Sequence, residues 1–171
     1  MNSLNHAGAS AATRALAWVI GAEPYRSAML RGVNGDDFDR LRARGLPIGD
    51  VRWNEPAGNC APLRDDEFQD VLDLLLEYRA DNGSETAWLA SAVAAACLGG
   101  NHLWQDLGLA NRQELSDLLQ TAFPALYARN TGNMKWKKFF YKQLCERAEV
   151  QACRAPSCAA CADYAQCFAP E

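Results

Sequence analysis

The sequence predicts an all-α protein, a compact helical domain followed by an irregular C-terminal cysteine-rich metal-binding segment. Three observations carry that prediction. Apolar residues recur at three- and four-residue intervals in several stretches between residues 65 and 147. No alternating apolar and polar run is long enough to build a sheet. Four of the seven cysteines fall in the last nineteen residues, spaced Cys153-x4-Cys158-x2-Cys161-x5-Cys167 among small residues and Pro156.

Along the chain, residues 10 to 30 carry a helical pattern with Leu16, Val19 and Ile20 apolar, weakened by Gly21 and Pro24. Residues 31 to 63 hold eight Gly and Pro residues from Gly32 to Pro62, so they read as irregular apart from a short helix over Asp36 to Arg44. A long amphipathic helix then runs from Asp65 to Ala80, with Phe68, Val71, Leu72, Leu75, Leu76 and Tyr78 as its apolar stripe, acids in its first turn and Gly83 ending it. A second helix follows Ser84 and continues through Leu89, Val93, Ala96 and Cys97 to Gly99 and Gly100. Asn111 caps a third around Leu115, Leu118 and Leu119, and Pro124 opens a short fourth. Met134 to Arg147 forms a fifth with Trp136, Phe139, Phe140, Gln143 and Leu144 on one face. The chain divides into residues 1–63, a weakly defined helix and irregular region, and residues 64–171, a helical domain with its metal-binding segment at 153–167.

At 171 residues the chain is long enough to bury a core without staples, so a metal would serve function more than global stability. A net charge of -4 and a pI near 5.2 argue against nucleic acid or an anionic membrane as partner. The apolar stretch from Ala87 to Gly99 is short of the roughly 20 residues that span a bilayer and reads as a buried core helix. The N-terminus lacks the pattern of a secretory signal, so a cytoplasmic location is expected. An odd number of cysteines, four of them clustered, suits a metal site better than a disulfide framework in a reducing compartment. The sequence has no phosphate-binding glycine loop and no His-Glu-x-x-His, and no catalytic residue is assigned.

Four thiolates within fifteen residues converge on one small object when the backbone wraps around it, and a metal centre is the natural object. Structural zinc sites usually separate two cysteine pairs by a dozen residues or more, whereas every gap here is five or fewer. The C-x4-C-x2-C spacing of the first three cysteines favours an iron-sulfur cluster, with zinc as the alternative. Cys145, eight residues before Cys153, is either a supplementary thiolate or a small buried hydrophobe. Cys97 continues an apolar stripe and reads as core packing, and Cys60 is uninformative. Lys135, Lys137, Lys138, Lys142 and Arg147 give the last helix a basic face, read either as solvated surface or as a surface for anions or an acidic partner. The acids Asp65, Asp66, Glu67, Asp70, Asp73 and Glu77 read as helix N-terminal charge and solvent face, able to complement that basic helix.

The segment Met134-Lys-Trp-Lys-Lys-Phe-Phe-Tyr-Lys-Gln-Leu-Cys145 followed by Cys153-Arg-Ala-Pro-Ser-Cys158-Ala-Ala-Cys161-Ala-Asp-Tyr-Ala-Gln-Cys167-Phe resembles the C-terminal signature of the nitrogen-fixation protein family NifQ. The segment Asn101-His-Leu-Trp-Gln-Asp-Leu-Gly-Leu109, with Phe123-Pro-Ala-Leu126, resembles it too. The resemblance implies a cytoplasmic metallochaperone that carries molybdenum on an iron-sulfur cluster of the 3Fe-4S type and supplies it for biosynthesis of the iron-molybdenum cofactor of nitrogenase. It implies Cys153, Cys158, Cys161 and Cys167 as cluster ligands, and the NifEN scaffold acting with NifH as recipient. Such a cluster takes three protein thiolates, which leaves a fourth for molybdenum or for exchange during transfer. His102 is then either a helix-terminating core residue, hydrogen-bonded to a free carbonyl or to Asp106, or a nitrogen ligand or proton donor to molybdate or cluster-bound molybdenum, oriented by Asp106. The alternatives from other classes are a zinc-binding interaction module and an iron-sulfur electron carrier.

Overall fold

A computed structural model describes residues 10–23, 25–31, 33, 35–46 and 65–147. Cys153, Cys158, Cys161 and Cys167 lie outside these residues, as do Cys60 and His6. The described residues form helices α1 (Ala11–Gly21), α2 (Tyr25–Arg31), α3 (Gly35–Ala43), α4 (Asp65–Glu77), α5 (Ser84–Cys97), α6 (Leu103–Asp106), α7 (Arg112–Ala122), α8 (Pro124–Arg129) and α9 (Trp136–Arg147), with no strand among them.

Helix α5 is the axis of the fold. Its residues from Trp88 to Cys97 are all buried, as expected of a helix apolar on every side, and α1, α2, α4 and α6 pack around it. The one hydroxyl in that run, Ser91, donates to the Ala87 carbonyl at 3.2 Å and so brings no unpaired polar group into the core. Around this axis α4 buries Phe68, Val71, Leu72, Leu74 and Leu75, and each fully buried side chain of this size contributes roughly 1.5–3 kcal/mol.

The region from 10 to 30 is two helices, since α1 stops at Gly21 and α2 starts at Tyr25. The Ser10 hydroxyl starts α1 by accepting from the Thr13 amide at 3.2 Å, and Leu16, Val19 and Ile20 are buried in the common core. Helix α4 ends at Glu77, six residues before Gly83, because the Asp81 carboxylate turns the chain: it accepts from the Gly83 amide at 2.6 Å and from the Thr86 hydroxyl at 3.1 Å. Gly83 is the N-cap of α5.

Asn111 caps α7 as the sequence predicts, its side-chain oxygen accepting from the Glu114 amide at 3.0 Å, while the Glu114 carboxylate accepts from the Ala110 amide at 2.8 Å. Pro124 stands in the first turn of α8. The loop into α9 is pinned by Asn130, which accepts from the Met134 amide and donates to the Met134 carbonyl. Asn133 takes the left-handed conformation there, φ 51°, which asparagine tolerates better than most residues. Trp136 then stacks on Tyr127 at 5.6 Å and meets Phe139 edge-on at 5.8 Å, fixing the first turn of α9 in an aromatic cluster.

Candidate functional site

At one end of the bundle the chain buries a carboxylate. Asp106 closes the short helix α6 between the buried Leu103 and Leu107, and its side chain is only 2% exposed. A charge in that place requires donors, and four converge on it. Oδ1 accepts from the Tyr25 hydroxyl at 3.1 Å and from Asn101 Nδ2 at 2.9 Å. Oδ2 accepts from the Asn101 amide at 3.2 Å and from Lys137 Nζ at 2.5 Å. Lys137 also donates to the Gly99 carbonyl at 2.8 Å, just past the end of α5.

Burial alone would raise the Asp106 pKa, but the hydrogen bonds from Lys137 and Asn101, the Lys137 charge and the Tyr25 hydroxyl outweigh it and hold the carboxyl below its ordinary value. Tyr25 moves the other way, its phenol held protonated by burial and by the neighbouring carboxylate. Cys97 lies in the same region; burial, with opposing effects from Lys137 and from Glu67 and Asp106, pushes its thiol up to about 12. It is a protonated core residue, in agreement with its place on the α5 stripe.

His102 is not the helix-terminating residue that one of its two sequence readings makes it. It is the N-cap of α6: its carbonyl accepts from the Gln105 and Asp106 amides, and its own amide donates to Gln105 Oε1 at 3.1 Å. Helix α5 has already ended at Cys97, so His102 starts a helix and does not end one.

Lys137 is a second correction. The sequence puts it on a basic surface with Lys135, Lys138, Lys142 and Arg147, but its side chain is 16% exposed and belongs to the Asp106 ion pair. Lys138 and Lys142 keep the exposed position. Lys142 pairs with Glu146 at 3.6 Å, and Arg147 reaches Glu77 at 2.8 Å. The acids of α4 do complement this helix, since Glu77 holds Arg147 and Glu67 accepts from the Tyr141 hydroxyl.

These contacts set the direction of α9. Tyr141 meets Glu67 near the start of α4, and Arg147 meets Glu77 at its end, so α9 and α4 run parallel. The turn bearing His102 docks at the Lys137 end. Cys145 stands eight residues further on, about 12 Å along the helix axis. The two supplementary ligand candidates are therefore at opposite ends of α9, and among the described residues no three His, Cys, Asp or Glu side chains gather to hold a metal. The four tail cysteines that the sequence offers as ligands, Cys153, Cys158, Cys161 and Cys167, lie outside the described residues. The Asp106 and Lys137 pair escapes a sequence reading centred on that tail. An acid flanked by Leu103 and Leu107 was its visible signal, because such an acid needs a cation.

The family profile described as NifQ matches residues 12–169. Protein NifQ of Azotobacter vinelandii is 52% identical over a match covering 67% of this chain and 63% of that protein. Protein NifQ of Klebsiella pneumoniae is 50% identical, covering 80% of this chain and 84% of that one, and the Rhodobacter capsulatus protein is 38% identical, covering 82% and 76%. The matched stretch thus spans less than two thirds of the Azotobacter protein's length. No solved structure matches the chain. Among the described residues no helix is long and apolar enough to cross a membrane.

Proposed function

The chain belongs to the NifQ family, and from that premise we propose that it serves nitrogen fixation as a molybdenum carrier and donor, a metallochaperone with no turnover chemistry of its own. The observation that carries this reading is that the family match extends from α1 to residue 169 and so takes in Cys153, Cys158, Cys161 and Cys167 together with the helical body. Those four thiolates are the residues that would hold an iron-sulfur cluster. When bound through three of them, a 3Fe-4S type cluster supplies a face of soft sulfides to a further metal.

The helical body acts on the cargo indirectly. Among the described residues, α5 is surrounded by α1, α2, α4 and α6 and buries a continuous core. Helix α9 leads into the tail and is held along its length by Asp106, Glu67 and Glu77. Lys138 and Lys142 on its exposed side would draw molybdate or an acidic docking surface toward the tail. Delivery is ligand exchange toward a recipient of higher affinity, and the recipients this family implies are the NifEN scaffold and NifH. The setting is cytoplasmic.

Anaerobic purification with analysis of iron, sulfide, molybdenum and zinc tests the reading. A brown protein containing iron and molybdenum is expected, and Cys158→Ala or Cys161→Ala should lose iron while keeping its helical circular dichroism. A colourless protein with stoichiometric zinc would overturn it in favour of a zinc module, and iron without molybdenum in favour of an electron carrier.

A further inference from the structure

The donors around Asp106 come from three places in the chain. Tyr25 lies 81 residues away on α2, Asn101 belongs to the turn after α5, and Lys137 lies 31 residues ahead on α9. Gly99 is shaped to the same cluster, since a Cβ there would overlap both the Tyr25 hydroxyl and the Asp106 carboxylate. A pair of apolar side chains would pack the same helices without the desolvation cost of two buried charges. A saturated ionic cluster adds one thing that apolar packing lacks. Moving any one of the three elements leaves a charge or a carbonyl unsatisfied, so a single mutual geometry is selected.

The remaining anchors of α9 do not select as sharply. Arg147 and Glu77 are both about half exposed, which makes that pair weak and screened. The first turn thus holds the least exposed ionic anchor of the helix, beside the Tyr141 contact to Glu67 and the buried Phe139 and Phe140 further along it. We propose that Asp106 and Lys137 are positioning residues which, with Tyr25 and Asn101, lock the start of α9 to α2 and to the turn carrying His102, so that the helix leading to the cysteine segment holds one direction. Only the last step of this inference rests on the proposed function, namely that the cysteine segment carries metal.

The test uses the full chain. Lys137→Met alone leaves Asp106 unpaired, so the informative variant is Lys137→Met combined with Asp106→Leu, which replaces the ion pair by apolar volume. It should keep cooperative unfolding and its helical signal. Amide exchange followed by mass spectrometry should rise by about tenfold together in α2, in residues 98–106 and in the first turn of α9, and stay unchanged in α7 and α8. Tyr25→Phe supplies a milder perturbation made on α2 but read on α9, where exchange in the first turn should rise by about fivefold. After anaerobic reconstitution both variants should bind iron normally with a lowered molybdenum-to-iron ratio. Exchange rates like those of the unsubstituted protein, or a rise confined to the element that carries each substitution, would overturn the proposal. If the unsubstituted protein takes up no iron at all, the metal-carrier reading fails, and the exchange pattern still decides the positioning role.

Discussion

The two ends of α9 are built from the same residue types and behave as opposites. At the first turn the Lys137 side chain, 16% exposed, pairs with Asp106 and donates to the Gly99 carbonyl. Near the last turn Lys142 and Arg147 make pairs in which every side chain is 46% exposed or more. A lysine in the first setting has replaced its water shell with protein partners, whereas a lysine in the second has kept most of it. Identity of charge therefore says little about its energetic weight; what decides is whether the partner left behind remains in contact with water.

The sharpest way to break this contrast is Lys137→Met. It should destabilise the protein by roughly 3–5 kcal/mol, because it leaves a buried carboxylate uncompensated. Urea unfolding measures it, and a loss below about 1 kcal/mol, the value of an exposed pair, would erase the difference between the two ends.

A smaller effect follows from pH. The Asp106 carboxyl is held below its ordinary value of 3.8, so the unfolded chain binds more protons than the folded one as the solution is acidified. Its contribution to stability is full above 3.8 and is lost as the pH falls through the folded-state value. The Tyr25 phenol is held above 10.0, so its contribution is full below that pH and is lost as the pH rises through its own folded-state value. In Asp106→Asn the acid edge should lose the Asp106 contribution, while the alkaline edge should soften only in part, because burial is the larger cause of the Tyr25 shift and the carboxylate charge the smaller. An unchanged acid limb in that variant would mean that Asp106 is not among the groups whose protonation unfolds the protein.

Much of this architecture is legible in the sequence, and the exceptions have physical reasons. Helices α4, α5, α7 and α9 announce themselves because their apolar residues recur at helical spacing or fill the whole helix, and Asn111 and Pro124 mark the starts of α7 and α8. Helix α6 has four residues, too few for any period to show. Lys137 hides inside a run of cations, where composition suggests a solvated face. In an α-helix, however, it stands three and four residues from Phe140 and Tyr141, at the edge of the buried stripe. Of the candidate ligands, Cys153, Cys158, Cys161 and Cys167 rest on the sequence alone. His102, read as a nitrogen donor to molybdenum or a core residue, and Cys145, read as a supplementary thiolate or a buried hydrophobe, stand near opposite ends of α9, a separation that sequence spacing does not show.

Cysteines sharpen the comparison at lower energy. Cys97, 4% exposed with its thiol pushed up to about 12, lies by the Lys137 end, and Cys145 is half-buried near the other. Cys97→Ser puts a stronger hydrogen-bonding group into a site that holds an un-ionised thiol, and should cost about 1–3 kcal/mol. Cys145→Ser should stay within about 0.5 kcal/mol. Equal losses in urea unfolding would show that the two ends are packed alike.

The smallest expected effect is at Lys142, and its value lies in separating stability from delivery. Its pair with Glu146 is long, 3.6 Å, and well exposed, so Lys142→Met should change unfolding free energy by less than about 0.5 kcal/mol. The same exposure lets its charge act at a distance on an approaching anion. Lys138→Glu combined with Lys142→Glu should therefore slow molybdenum transfer at low salt while leaving bound iron unchanged. The difference should close near physiological ionic strength, where the screening length falls to about 8 Å. Transfer at low salt that is as fast as in the unsubstituted protein would leave this face of α9 with solubility as its role, and would place whatever guides the cargo on the cysteine segment itself.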